Sequence, residues 1–236
     1  MIQIMRLVFT ITASVTLLFC VWGSPVLAGE WQEEFNIAGR RLTHTGEFRY
    51  LILLPGFQTV LESRDERLTI TVLDETMEIN GILTRVVEER ELQKGKLHEV
   101  SRNFVAIDAE TGDVFCFGED VNNYEKGKIV NHAGTWKAYE HGNRPGLIVP
   151  GNPSVGMKYY RELAPGIAMD QAEIVSVSET VKTPAGEFRS CLKVRESSRI
   201  KGGREYKIYA PGIGLVQKEA MRLIRHGYLK GRSAPK

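Results

Sequence analysis

Between residues 172 and 219, apolar runs of strand length alternate with turn signals: AEIVSVSETV, KTPAG, EFRSCLKVRES, SRIKGG, REYKIYA, PG and IGLVQKE. Over residues 187–196 the period is two. Phe188, Leu192 and Val194 share one face, with Glu187, Arg189, Lys193 and Arg195 on the other. A helix would space its apolar residues by three and four, whereas strict alternation belongs to a strand with one buried and one wet face. On this alternation Cys191 falls on the polar face. The stretch reads as an antiparallel meander at the core of an all-β domain.

The same pattern starts at Glu47. An apolar run over residues 48–54 ends at Pro55-Gly56 and is followed by residues 57–61. Leu68, Ile70 and Val72 then alternate with Thr69, Thr71 and Leu73, and Asn80-Gly81 is a strong hairpin signal. A long strand over residues 82–92 follows, a turn at 93–96, a strand over 97–107, a turn at 108–113 and a return over 114–117. Residues 118–135 read as loose, with short strands at best. The Pro/Gly-rich stretch 141–154 reads as an ordered loop across the surface. Residues 31–45, with Arg40, Arg41 and His44, read as a lead-in arm or short helix. The last strand is expected at 221–224. The predicted fold class is therefore all-β, an antiparallel meander forming a curved sheet, sandwich or open barrel after an N-terminal signal helix. Residues 29–230 form a single β domain and 231–236 a flexible tail.

The N-terminus changes the picture of where the protein works. Arg6 is the only charge before Glu30, an uncharged apolar run follows it, and Gly23, Ser24 and Pro25 precede a small-residue site ending at Ala28. This three-part form predicts a secretory signal over residues 1–28. The apolar run is also just long enough to span a bilayer, but Gly23, Pro25 and the cleavable site favour removal. A lipid-modified Cys20 is disfavoured by bulky Phe19. Membrane contact is expected only through this segment before cleavage, and the location is the periplasm or the extracellular space. Formal charge is +2 over 236 residues, so no global field draws the chain to nucleic acid. Cleavage would leave Cys116 and Cys191, either bonded to each other or buried as separate thiols.

Two echoes run through the chain. Ala-Pro-Gly-Ile occurs at Ala164 and Ala210, and the hairpin that begins LDET at Leu73 parallels the one that begins VSET at Val177. Either a duplicated hairpin or shared turn chemistry produces such echoes. The set LDET, TRVVEERE, FGEDV, TPAGEFRSCLK and YAPGIGLV, spread over residues 68–217, resembles a family of uncharacterised exported bacterial β proteins. That resemblance implies an envelope or secreted location and supplies no activity. A looser likeness, in architecture only, is to curved β-sheet lipoprotein carriers of the periplasm.

Candidate chemistry is sparse. Ser154 between glycines departs from the nucleophile-elbow spacing, and the Asp108–Asp113 turn lacks the ligands of a calcium loop. None of the five histidines forms a metal-type pair in sequence. Glu119, Asp120, His132, Trp136, Tyr139 and His141 gather in one stretch and are the candidate ligand-binding residues, lining a polar-aromatic pocket. The competing readings are surface histidines with an aromatic plug, or a metal held by Asp120, His132 and His141. No catalytic residue, metal site or cofactor is assigned. Glu88-Glu89-Arg90-Glu91 reads as a solvated face that blunts a sheet edge, and Tyr159-Tyr160 as strand packing. The leading expectation is a non-catalytic binding or carrier module for a small or lipid-like, apolar or amphipathic ligand. Its rivals are an envelope hydrolase using scattered carboxylate and His residues, or a structural part of an envelope assembly. N-terminal sequencing of exported protein is expected to read from Gly29; an intact Met1 or a lipid-modified Cys20 refutes the signal reading.

Overall fold

The computed structural model describes residues 30–229, so the segment read as a signal helix and the tail 231–236 lie outside the described residues. Within them the chain is almost entirely strand. After a short 3-10 turn at Ile37–Gly39 come β1 (Leu42–Thr43), β2 (Glu47–Phe48), β3 (Leu51–Ile52) and β4 (Phe57–Glu62). Four long strands follow, β5 (Glu66–Ile79), β6 (Ile82–Gln93), β7 (Lys96–Asp108) and β8 (Val114–Glu125). The middle carries the short strands β9 (Lys128–Asn131), β10 (Trp136–Lys137), β11 (Gly146–Val149) and β12 (Lys158–Tyr160). Last come β13 (Asp170–Thr183), β14 (Gly186–Ser198), β15 (Arg204–Ala210), β16 (Gly214–Lys218) and β17 (Met221–Tyr228).

All but β2 and β3, which pair with each other, join one sheet of fifteen strands in the order β10-β8-β7-β6-β5-β4-β17-β16-β15-β14-β13-β12. Neighbouring strands run antiparallel throughout, and the two meanders meet where β4 pairs with β17. Turn chemistry explains the hairpins. Asn80-Gly81, Lys94-Gly95 and Lys126-Gly127 all take positive φ at both positions, as the twist-matched two-residue turn requires.

Two local readings of the sequence are corrected. Strand β8 does not stop at Phe117 but runs to Glu125, because β7 pairs with it as far as Asn123 and β9 and β10 pair along its other edge. Its Gly118, Asp120 and Asn122 are poor strand formers alone, and pairing on both sides overrides that preference. In β14, Ser190 takes φ 53 and the register with β13 shifts nearby. This bulge resets the alternation. Cys191 is therefore buried beside Leu192, not placed on the polar face.

A twisted sheet of this many strands cannot stay open and flat. It curls until its ends touch, yet it is not closed into a barrel. The contact is a single bridge, with the Arg144 amide donating to the Leu163 carbonyl at 2.8 Å. Beside it Gly146 packs so tightly that an added Cβ would stand 1.9 Å from the Arg161 carbonyl oxygen. The N-terminal arm seals this seam. Gln32 exchanges backbone hydrogen bonds with Lys158 and Tyr160, and Phe35 enters the core. Arg40 bonds Asp108 and Asp113, each at 2.8 Å, and stacks 4.8 Å over the Phe115 ring. Both Val86 and Val87 are buried, so the sheet is covered on both faces here.

Gly146→Ala is expected to cost about 1–3 kcal/mol by overpacking the seam, read as a Tm lower by several degrees. An unchanged Tm would show that the two ends are free to separate.

A candidate binding cavity inside the curl

The strand registers decide which side chains face inward. Pairing sets Leu68 opposite Glu91, Ile70 opposite Glu89 and Val72 opposite Val87, and Val87 opposite Asn103. Across the curl, Leu192 pairs with Tyr209, Val194 with Lys207 and Glu196 with Glu205, while Lys207 pairs with Lys218. The inward rows of β6, β14 and β15 therefore begin apolar and turn ionic toward one end of the sheet. Strands far apart in the order then line one cavity of about 100 Å³. Its apolar wall includes Phe57, Val72, Val87, Val105 and Ile148. Its polar wall is Thr59, Glu89, Asn103, Arg161, Lys207 and Lys218.

The ionic end is a network centred on Glu196, whose side chain is 5% exposed. One of its oxygens, Oε2, accepts from Arg161 and, at 2.7 Å, from the Lys207 ammonium. Lys207 also reaches Glu205 at 3.0 Å, and Lys218 reaches Glu91 at 2.8 Å. Burial works against the charge on Lys207, but Glu196, Glu205 and Tyr209 together outweigh it, and the Lys207 pKa is raised. Burial likewise opposes the charge on Arg161, and Glu196 with Tyr209, Glu162 and Tyr159 together raise its pKa. Burial would raise Glu205, yet Lys207 and Lys218 bring it down to about 2. Arg161, Lys207 and Lys218 border the cavity, whereas Glu91, Glu196 and Glu205 do not. The cations stand in front and their carboxylates behind.

Four further carboxyls lie in or beside this interior, and among the described residues no cation pairs with them at close range. Burial raises the pKa of Glu89, against the pull of Lys207 and Lys218. Burial raises Glu99, with Glu91 adding to it. Burial and Glu162 push Glu119 up, and burial and Asp170 push Glu162 up. Such groups hold their protons more tightly than in water because an isolated carboxylate in low dielectric is costlier than a neutral acid. Glu119 lies under the floor of an open cleft of about 640 Å³ bordered by His98, His132, Gly134 and Lys201. A Cβ at Gly134 would sit 3.9 Å from its Oε1.

The six residues singled out from the sequence do not form one site. Glu119 faces the interior, and Asp120 pairs with Lys137 at 3.6 Å. His132 is exposed beside the cleft, with Nδ1 2.9 Å from the Val121 carbonyl. Trp136 is buried in the core cluster with Phe117 and borders neither the cavity nor the cleft. Tyr139 borders a separate cleft near Ile37 and Asn80, and His141 sits exposed in a tight turn. Cys116 and Cys191 are buried free thiols. Among the described residues no group of His, Cys, Asp and Glu could hold a metal ion, and no helix is long and apolar enough to cross a membrane. The supposed solvated face is corrected too. β6 lies between β5 and β7 rather than at an edge, and Glu89 and Glu91 point into the curl.

Sequence reading placed Glu89 on a solvated face and passed over Arg161, Glu196, Lys207 and Lys218. A signal was present in Val87-x-Glu89-x-Glu91 and Leu192-x-Val194-x-Glu196, where charges continue the phase of the core residues instead of opposing it. No family model, curated protein or solved structure matches the chain.

The raised carboxyls act on the alkaline side of how stability varies with pH. Each binds its proton more tightly folded than unfolded, so their contribution is full below the unfolded pKa. It is lost as pH rises through the raised folded value. Glu119→Gln is expected to raise Tm at about pH 8, by about 2–4 °C per kcal/mol relieved, and to flatten the alkaline fall. A lower Tm at every pH would mean that Glu119 is ionised and paired.

Proposed function

We propose that the protein is a non-catalytic binding module that holds a small amphipathic ligand inside its curled sheet. The observation that carries this reading is the meeting in one cavity of an apolar wall, led by Phe57, Val72, Val87, Val105 and Ile148, and an ionic one with Arg161, Lys207 and Lys218. An apolar body is favoured by area removed from water, about 25 cal/mol per Å². A polar end is favoured only where fixed partners replace its hydration. Both conditions meet in this space.

Size narrows the ligand. A cavity of about 100 Å³ is closer to one that takes a single ring, about 150 Å³, than to pockets for drug-sized molecules, about 300–1,000 Å³. The occupant is a short-chain or single-ring amphiphile rather than a full lipid. Work in the cell envelope or outside the cell is part of the proposal and rests on the secretory character of residues 1–28 and the motif resemblance.

Val105→Trp places an indole in the apolar wall. It is expected to abolish both the small molecule recovered by solvent extraction and mass spectrometry from natively exported protein, and the uptake of added short-chain amphiphiles. A wild-type protein that is empty and takes up none of them overturns the reading.

A further inference from the structure

We infer that the polar end of the ligand is an anion, a carboxylate or a phosphate, seated against Arg161, Lys207 and Lys218, with Glu89 as the residue that admits or repels it. This rests on the binding reading above and names the ligand class for the same cavity.

Three observations carry it. First, the three cations border the cavity while the carboxylates that balance them, Glu91, Glu196 and Glu205, are set behind. A ligand meets donors first. Second, Arg161 has a spare donor: its Nε is buried without a hydrogen-bond partner among the described residues, although its NH1 is bonded to Glu196. A guanidinium offers five N–H groups in a fixed fork suited to carboxylate and phosphate oxygens. Third, Lys218 borders both the cavity and a groove at the surface formed with Glu91 and Glu205. A polar end coming from that groove is handed to a cation at the boundary.

Among the described residues Glu89 is the only carboxyl bordering the cavity. Lys207, Lys218, Arg161 and Glu91 act on it, and it acts in turn on Glu99, Glu119 and Tyr209. Burial, the largest influence, raises its pKa. Protonated, it donates an O–H to an anionic oxygen, a short charge-assisted bond. Ionised, it sets a like charge beside that oxygen and draws on the same cations. Glu99, Glu119 and Glu162 shift in the same direction, so the whole interior becomes less hospitable to an anion as pH rises. An ammonium would instead be packed against three cations.

The experiment is calorimetric titration of purified protein with hexanoate, hexyl phosphate, hexylamine and 1-hexanol at about pH 6, 7 and 8, where hexanoate stays ionised. One or both anions are expected to bind at least about tenfold more tightly than hexanol, with hexylamine not binding. Which anion binds identifies the head group. Hexanoate affinity should fall by up to about tenfold per pH unit with uptake of a proton. Glu89→Gln keeps a neutral donor, so it should hold the low-pH affinity at about pH 8 and remove the slope. Lys218→Gln should weaken hexanoate about tenfold or more with the fold retained. Hexanol binding as tightly as hexanoate overturns the anion inference and leaves the cavity reading standing. Hexylamine binding that strengthens with pH overturns it too. An unchanged slope in Glu89→Gln overturns the role of Glu89. Failure of all four ligands, with an empty solvent extract, sinks both readings.

Discussion

Glu196 accepts from a guanidinium and an ammonium at a site almost without solvent, and the far half of the molecule is organised by that requirement. Taking three charges out of water costs several kcal/mol per ion, and the loss is recovered only where geometry brings the opposite charges into contact. Here the contact partners come from three places. Arg161 follows β12, Glu196 lies near the end of β14 and Lys207 lies in β15. Removing Glu196 would leave the Arg161 guanidinium buried without the carboxylate it contacts, a loss of about 3–5 kcal/mol. The network therefore specifies the register of the last strands as much as it stabilises them. It also brings Arg161 to the seam, where Gly146 leaves room for its backbone.

A sheet that curls without closing must fill its interior, and this one does so unevenly. Toward one end Phe57, Val72, Val87, Val105 and Ile107 pack as an ordinary core. Toward the other the same inward rows carry Glu89, Glu91, Glu205 and Lys207. An interior built for stability alone would continue in Val and Leu, since hydrophobic replacement of a buried ion network is often neutral or favourable. Keeping partnerless carboxyls as well is a further departure from the most stable solution. Departures of that kind are expected where a binding site occupies the interior. The cavity at the boundary between the two zones is where both kinds of wall are within reach of one small molecule.

Much of the architecture was legible in the chain. The alternation of Leu68, Ile70 and Val72, the Asn80-Gly81 turn and the regular turn spacing after residue 172 specify antiparallel hairpins, and the hairpins form where the turn chemistry places them. Such signals are local: period-two burial and positive φ depend only on a few neighbouring residues. The candidate site was not legible in the same way. The cluster at 119–141 is contiguous in sequence, but a strand sends adjacent side chains to opposite faces. Glu119 thus turns inward while Asp120 meets Lys137 outside.

What the sequence by itself determined is the strand content, the hairpin turns and the antiparallel class, because each follows from forces acting across a few residues. Only the tertiary structure decided that β8 extends to Glu125, that Ser190 resets the phase around Cys191, and that Glu89 lies inside. It also decided that Arg161, Glu196 and Lys207 meet although 46 positions separate the first from the last. A charge on a strand reads as solvated until the curl of the sheet is known. Whether an alternate face meets water or an opposing wall is set by strands more than a hundred residues away, not by the residues beside it.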